Sequence, residues 1–311
     1  VSSHLAGVPN IPEMLSPAQQ RQDNYQGVLG SNVVTIATLL EVAGYHTYLA
    51  GKWHLGSTPE KRPSRRGFER TVALMDSGAD NWEHKPYLPI YDDANWFADG
   101  ERFELPEDFY SSEFLIDTTI EFIDSNLDDG KPFFAYVPFQ AVHIPVQAPQ
   151  KFIDRYMGVY DQGWSALRQQ RLERAIELGV VPADTMTVQM ASTADWEALS
   201  PQRQAYEAKR MAVYGAMVEA MDHHIGRLVE YLKAIGEYDN TVFIFTSDNG
   251  AEAMGLPRQN SWGNTQILAA QDYSVDYETL GLKGSFNAIN PGFASAAASP
   301  LAYYKFYVGE G

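Results

Sequence analysis

Three short apolar runs in the chain each end in polar residues that can carry chemistry. The first lies at residues 46–50, the second at 133–139 and the third at 241–246. Short runs of apolar, aromatic and β-branched residues are typical of strands that a parallel sheet buries on both faces. The pattern therefore predicts three strands of one sheet.

A helix is predicted before each of these strands. Residues 34–42 are apolar enough for a helix, and Gly44 suits the left-handed position just past its end. Apolar residues at helical spacing between positions 116 and 127 predict a second helix, with Ser111 or Ser112 as its cap. The same spacing between positions 211 and 232 predicts a long amphipathic helix.

This alternation of helices and strands predicts an α/β fold with a doubly wound, mostly parallel sheet that carries helices on both faces. Residues 57–108 and 254–300 are predicted to form loops. Residues 151–207 are charged and helical, and we interpret them as an insertion within a single domain over residues 1–311. The chain starts without methionine and stops abruptly, so we interpret it as truncated at both ends.

Composition excludes several classes of function. The formal net charge of -17 argues against nucleic acid as a partner, because phosphate backbones require a basic surface. The absence of cysteine excludes disulfides and thiolate metal sites, and it indicates no particular compartment. No apolar run approaches the roughly 20 residues of a membrane-spanning helix.

Cationic or proton-carrying side chains follow each of the first two predicted strands. Gly51 interrupts the first run, so Lys52 and His54 are expected to emerge where that strand ends. A lysine and a histidine at the carboxyl end of a parallel strand suit an anionic, oxygen-rich group. A surface turn whose side chains face water is the alternative. The second run leads into His143, for which a hydrogen-bonded core histidine is the alternative.

The third predicted strand delivers Asp248 and Asn249. Both side chains offer hard oxygen donors, which suit Ca²⁺ or Mg²⁺ better than Zn²⁺. An Asx turn after a strand is the alternative interpretation. Because three helix–strand units each end in polar chemistry, we expect one anion pocket built from Lys52, His54, His143, Asp248 and Asn249. Lys305 lies in an aromatic run, where a lysine usually reaches to the surface.

Two of these segments resemble the motifs of a known family. Residues 44–54 (GYHTYLAGKWH) are similar to the second sulfatase signature, and residues 246–250 (TSDNG) are similar to the sulfatase metal motif. Residues 131–149, 211–226 and 299–311 also resemble the type I sulfatases of the alkaline-phosphatase-like superfamily. The run at 158–168 (GVYDQGWSALR) is similar to the bacterial arylsulfatase branch.

The resemblance implies a role for each matching residue. The match to Lys52 contacts the sulfate and the nucleophile, and the match to His54 holds a hydroxyl of the hydrated nucleophile. The matches to His143 and Lys305 bind the sulfate near its bridging oxygen and help the leaving alcohol depart. The matches to Asp248 and Asn249 ligate one divalent cation, usually Ca²⁺ and less often Mg²⁺.

The chain also departs from the family pattern. The family's nucleophile is a formylglycine made from Cys or Ser in a Cys/Ser-x-Pro-x-Arg motif, and no such motif precedes Lys52. The paired N-terminal Asp ligands and the C-terminal subdomain are also absent. Residues 3–7 (SHLAG) resemble the segment just after the nucleophile motif. The sequence therefore predicts a core fragment that is inactive by itself and belongs to an active parent protein.

The resemblance leads to one preferred hypothesis and two alternatives. The preferred function is hydrolysis of a small-molecule or glycan sulfate monoester by an arylsulfatase-type enzyme. A phosphate or phosphonate ester hydrolase is the first alternative, although its relatives usually have His at the position of Asn249. A non-catalytic binder of sulfated ligands is the second. The resemblance implies a periplasmic or secreted protein, while the residues leave a cytoplasmic location open.

Overall fold

The computed structural model describes residues 16–22, 25–187, 195–253, 272–305 and 307. The chain divides into two compact units. The first contains Val1–Gln140 and His224–Gly236, and the second contains Ala141–His223 and Glu237–Gly311. The expectation of a single domain with an insertion at 151–207 is not tested by this division and stays a prediction. Among the described residues, no helix is both long enough and apolar enough to cross a bilayer.

A five-stranded sheet organises the first unit. Its strands are β1 (His46–Lys52), β2 (Arg70–Leu74), β3 (Trp96–Ala98), β4 (Glu101–Arg102) and β5 (Phe133–Tyr136). Their spatial order is β4-β3-β2-β1-β5. β1 pairs in parallel with β2 on one side and with β5 on the other, whereas β3 is antiparallel to both of its neighbours. The parallel core of the sheet and its helices confirm the predicted α/β fold.

Helices cover both faces of this sheet. On one face, Tyr48 of β1 packs in a cluster with apolar residues of α2 (Ser111–Asp124). On the other face, Leu49 packs in a cluster with Ala37 of α1 (Ile36–Val42). Successive side chains of a strand point to opposite faces, so a strand covered on both faces requires a continuous apolar run. This explains why β1 was predictable from its sequence.

The helix boundaries differ in detail from the expected ones. Thr35 caps α1, since its Oγ1 accepts a hydrogen bond from the backbone N–H of Thr38 at 3.1 Å. Gly44 has φ +91°, which confirms the predicted left-handed position. The prediction that Ser111 caps α2 is wrong. Tyr110 is the N-cap residue, and the Ser111 hydroxyl donates instead to Asn81 Oδ1 at 2.6 Å.

The prediction that residues 57–108 form only loops is wrong. This stretch contains β2, β3 and β4, together with two short 3₁₀ helices at Pro59–Lys61 and Pro63–Arg65. β2 has five residues and begins with the charged Arg70, so its apolar part is too short to give a periodic signal. Its identity as a strand depends on pairing with β1, which precedes it by a long connection.

β5 is less buried than the sequence indicated. The apolar run at 133–139 predicts a strand buried on both faces, but only Phe133–Tyr136 is a strand. It lies at the edge of the sheet, and all four of its residues are at least partly exposed. The run is apolar enough for a central position, yet no further strand pairs with its outer edge among the described residues.

The second unit is mainly helical. It contains α3 (Gln150–Tyr156), α4 (Gly163–Glu177), α6 (Pro291–Ala297) and the first two-thirds of α5 (Pro201–Ala234). The long helix predicted between 211 and 232 is therefore confirmed. α6 corrects the expectation that 254–300 is all loop, because Asn290 caps a short helix there by accepting from the Phe293 N–H at 2.9 Å.

Aromatic rings form the centre of this unit. The ring of Trp164 meets that of Trp196 edge-on, with 4.8 Å between their centroids, and meets that of Phe293 at 5.5 Å. Ala251, Ala253 and the buried Tyr304 belong to the same cluster. Edge-to-face contacts of this kind add about 0.5–1.5 kcal/mol each beyond the burial of area. The cluster therefore fixes the segments on either side of Glu252 and beside Lys305.

The third predicted strand is not a strand. Residues 241–247 follow the 3₁₀ helix Tyr238–Asn240 with no strand assigned, within the described part of the second unit. Val242, Ile244 and Phe245 are 86%, 87% and 76% exposed. The prediction of a buried strand is therefore wrong for this structure. The residue types favour a strand, but burial also requires a neighbouring strand or helix to cover them.

Candidate active site

Lys52 is the last residue of β1, so the strand ends two residues later than predicted. Gly51 stays within the strand at φ +141°, and a Cβ atom there would collide with the carbonyl oxygen of Pro138. The same carbonyl accepts a hydrogen bond from the Lys52 N–H at 2.8 Å. Glycine is thus required for the close approach of the two backbones that fixes Lys52.

Trp53 anchors the loop between the two candidate side chains. Its backbone N–H donates to the Leu74 carbonyl at 2.8 Å, and its indole Nε1 donates to the Lys61 carbonyl at 3.0 Å. The ring itself is buried in the α1-side cluster, whereas Lys52 and His54 are only partly buried. Anchoring the residue between them restricts both of their backbones.

His54 has a left-handed backbone conformation, with φ +51°. For a residue with a Cβ atom this conformation costs about 1–2 kcal/mol. Backbone strain of this size persists where the surrounding structure imposes it, and it is concentrated at functional sites. The strain therefore supports a functional reason for the position of His54 that the sequence pattern alone did not give.

His143 is held at the start of a firmly bonded segment of the second unit. Nearby, the Val146 N–H donates to the Asn287 carbonyl at 2.8 Å, and the Ala148 N–H donates to the Gly281 carbonyl at 2.9 Å. His143 Nδ1 lies 2.9 Å from the Ile144 carbonyl oxygen. A carbonyl can only accept, so Nδ1 carries a hydrogen, and Nε2 is the ring nitrogen on the opposite side of the ring.

One carboxylate joins His143 to Lys305. Glu252 Oε2 lies 3.4 Å from His143 Nε2 and 2.8 Å from Lys305 Nζ. The Glu252 side chain is 9% exposed, and the Lys305 N–H also donates to the Ala251 carbonyl at 3.0 Å. The structure thus brings together two of the predicted site residues that are far apart in sequence. Lys305 is a paired, partly buried lysine, and the interpretation of a surface-reaching side chain is wrong.

Sequence reasoning missed Glu252. The only signal in the sequence is an acidic residue three positions after Asn249, in a stretch without periodicity. Its importance depends on Lys305, which lies 53 residues later. A contact across that separation is set by the packing of Ala251, Ala253 and Tyr304 and has no local pattern.

Asp248 and Asn249 are exposed at the end of the 241–247 segment. Ser247 Oγ donates to the Asn249 carbonyl at 2.7 Å, which stabilises the turn. The carboxylate and amide oxygens match Ca²⁺ in kind, but Ca²⁺ takes six to eight oxygen ligands. Among the described residues, no cluster of three or more His, Cys, Asp or Glu side chains is arranged to hold a metal ion. The pair therefore fits as part of a larger ligand set.

The predicted site residues fall into two groups, one in each unit. Lys52 and His54 belong to the first unit, whereas His143, Asp248, Asn249 and Lys305 belong to the second. Within the second unit, His143 and Lys305 meet on Glu252. Convergence of both groups on one anion stays a prediction. The segment at 3–7, which resembles the sequence after the nucleophile motif, lies outside the described residues.

Comparison with known proteins gives matches over most of the chain. The profile of the sulfatase family matches residues 1–277. An uncharacterized sulfatase of Schizosaccharomyces pombe is 35% identical over 99% of the chain and 57% of its own length. The arylsulfatase of Klebsiella aerogenes is 36% identical over 91% of the chain and 60% of its own length.

A solved structure, the PsFucS1 sulfatase from Pseudoalteromonas sp., aligns with 72% of the chain and 39% of its own, at 24% identity and TM-score 0.42. The chain spans about 57–60% of the length of the two curated relatives.

Proposed function

We propose that the protein containing this chain hydrolyses sulfate monoesters, because the chain belongs to the sulfatase family. The observation that carries the proposal is the pairing of His143 and Lys305 on one carboxylate in the second unit. An imidazole and an ammonium group at one place suit an anionic ester whose leaving oxygen must be stabilised.

Each of the four basic residues has a role in this proposal. Lys52 binds a non-bridging sulfate oxygen and offsets charge that builds up during transfer of the sulfuryl group. His54 accepts a proton from, or donates a hydrogen bond to, the attacking hydroxyl. His143, as an imidazolium with protons on both ring nitrogens, gives its Nε2 proton to the bridging oxygen as the S–O bond breaks and is left as the neutral imidazole, and Lys305 stabilises the same oxygen. The products are an alcohol or phenol and sulfate.

Two groups beyond these side chains complete the proposal. The family implies a metal-dependent enzyme, and Asp248 and Asn249 are the residues that we propose as its ligands in this chain, with Ca²⁺ preferred to Mg²⁺. A bound Ca²⁺ would withdraw charge from the sulfate oxygens. A formylglycine elsewhere in the protein would supply the attacking oxygen.

The substrate that we propose is a sulfated small molecule or glycan. The Klebsiella aerogenes relative is named arylsulfatase, so aryl sulfates are the first substrates to try. The net charge of -17 makes a polyanionic nucleic acid an unfavourable partner.

The test is an assay of the full-length protein with Ca²⁺ on matched aryl sulfate and aryl phosphate monoesters. The proposal predicts kcat/KM at least roughly 10²-fold higher for the sulfate, since differential transition-state binding sets specificity. Preferential turnover of the phosphate would favour the alternative of a phosphate or phosphonate hydrolase. Tight binding of the aryl sulfate without turnover, after confirmed formation of formylglycine, would favour a binding protein.

A further inference from the structure

The Glu252 carboxylate lies against both His143 and Lys305. We propose that Glu252 is a positioning residue. It holds the Lys305 ammonium group and the His143 ring where both can contact the departing oxygen of the substrate. This inference rests on the proposed function, and it goes beyond the roles that the family resemblance gives.

The placement of Glu252 is fixed on both sides. Ala251 and Ala253 pack against the aromatic cluster of the second unit, and the backbone N–H of Lys305 donates to the Ala251 carbonyl. Tyr304, next to Lys305, is buried in the same cluster. The carboxylate and the ammonium group are therefore attached to two backbone segments that are already bonded to each other. Little conformational entropy remains to be lost when the ion pair forms.

The Glu252 carboxylate contacts Lys305 and His143 in two different ways. The 2.8 Å contact to Lys305 Nζ is a charge-assisted hydrogen bond to one of the three ammonium donors. The 3.4 Å contact to His143 Nε2 is long for a hydrogen bond and chiefly electrostatic. It orients the imidazolium ring through its charge, while the hydrogen bond from Nδ1 to the Ile144 carbonyl holds the other side of the ring.

Charge also separates this role from simple substrate binding. A carboxylate beside an anion-binding pair repels the substrate anion, so Glu252 weakens binding of the ground state. Its benefit must come from holding the two donors where charge develops on the leaving oxygen. Removing the charge should therefore lower kcat without raising KM, which differs from the effect of a general loss of structure.

The experiment compares Glu252→Gln, Glu252→Asp and the wild type in the full-length protein, with a series of aryl sulfates of increasing leaving-group pKa. We expect Glu252→Gln to lower kcat by roughly 10–100-fold for the poorest leaving groups and less for the best, with KM unchanged or lower. Glu252→Asp keeps the charge and should recover part of the loss. Glu219→Gln is the control, because it removes a carboxylate that pairs with Arg155 in the same unit.

Equal loss of kcat for every leaving group, a higher KM, or no loss at all would overturn the role of Glu252. A second readout covers the case in which the wild type turns over no sulfate ester, which would be a failure of the proposed function instead. The ¹⁵N signals of the His143 ring and of Lys305 Nζ should shift in Glu252→Gln and not in Glu219→Gln. Unchanged signals in both variants would overturn the inference regardless of activity.

Discussion

The strand β1 and the segment 241–246 contain similar kinds of residue, but β1 is buried and the segment 241–246 is exposed. Both are short, apolar and rich in β-branched or aromatic residues, and both lead into polar residues of the candidate site. Leu49 in β1 is fully buried between two hydrogen-bonded neighbours, whereas Ile244 is 87% exposed and belongs to no strand. The comparison shows that sequence defines what a segment can bury, while its neighbours decide whether it does.

The difference extends to the chemistry at the end of each segment. Lys52 follows a strand whose backbone is bonded on both sides, and Trp53 anchors the loop beyond it. Asp248 and Asn249 follow an unpaired segment and are themselves exposed. A preorganised group loses less freedom when it binds than a group on an unpaired segment. The backbone around Lys52 and His54 is therefore more preorganised than the backbone around Asp248 and Asn249.

The largest expected effect is that of adding one methyl group to β1. Gly51→Ala should destabilise the chain by roughly 3–5 kcal/mol, because it combines a left-handed φ with a collision against the Pro138 carbonyl. Gly44→Ala is the matched control, since Gly44 also has a positive φ but has open space around it, and about 1 kcal/mol is expected. Urea unfolding of the 311-residue chain measures both. Equal losses would mean that Pro138 does not approach Gly51.

A pair of truncations tests the comparison itself. Leu49→Ala removes a fully buried side chain and should cost about 2–5 kcal/mol, whereas Ile244→Ala should change the free energy of unfolding by less than about 0.5 kcal/mol. Both variants remove aliphatic carbons from a strand-like segment, so they differ mainly in burial. If Ile244→Ala costs as much as Leu49→Ala in the same chain, the 241–246 segment is covered in solution and the contrast fails.

The smallest expected effect is the contribution of His46, at the start of β1, to the pH dependence of stability. Its Nδ1 lies 2.6 Å from Glu69 Oε2, and its Nε2 lies 2.7 Å from Asp129 Oδ2. Burial by itself lowers the pKa of the His46 imidazole, but hydrogen bonds and charges from the two carboxylates together raise it above 6.5. A pKa raised by folding stabilises the protein below the unfolded value, and this stabilisation is lost as pH rises through the folded value.

The contact between His46 and Asp129 also depends on pH in the acid range. The Lys131 backbone N–H, followed by His46, lowers the pKa of Asp129 from 3.8 to about 2, so the stabilisation by Asp129 is fully present above pH 3.8 and is lost as pH falls from there toward about 2. Urea midpoints measured between about pH 5 and about pH 9 should therefore fall more for the wild type than for His46→Asn. Parallel pH dependence in the two proteins would show that His46 does not titrate with the expected shift. The two carboxylates are partly exposed, so solvent limits the size of the effect.

Sequence was sufficient for the features that local patterns determine. The apolar run of β1, the glycine after α1 and the long helix α5 all follow from spacing and residue type. Local motifs also indicate the candidate site residues Lys52, His54 and Asp248, whose shared role stays a prediction. Local reasoning found β1 because the strand is covered on both faces and its central residues Tyr48, Leu49 and Ala50 are apolar.

Three features that the sequence did not reveal depend on partners distant in the chain. β2 is a strand because β1 and β3 pair with it, and the 241–246 segment is exposed although its residues favour burial. Glu252 has no local signature, since its two partners come from other segments. In each case the deciding free energy comes from long-range packing, which propensity and periodicity do not contain.

The most direct test of the central claim is a crystal structure of the full-length protein with inorganic sulfate bound. The account predicts that one sulfate accepts hydrogen bonds from Lys52, His54, His143 and Lys305, with Glu252 still bonded to Lys305 Nζ. A sulfate that contacts only the Lys52 pair or only the His143 pair, with the other pair elsewhere, would contradict it.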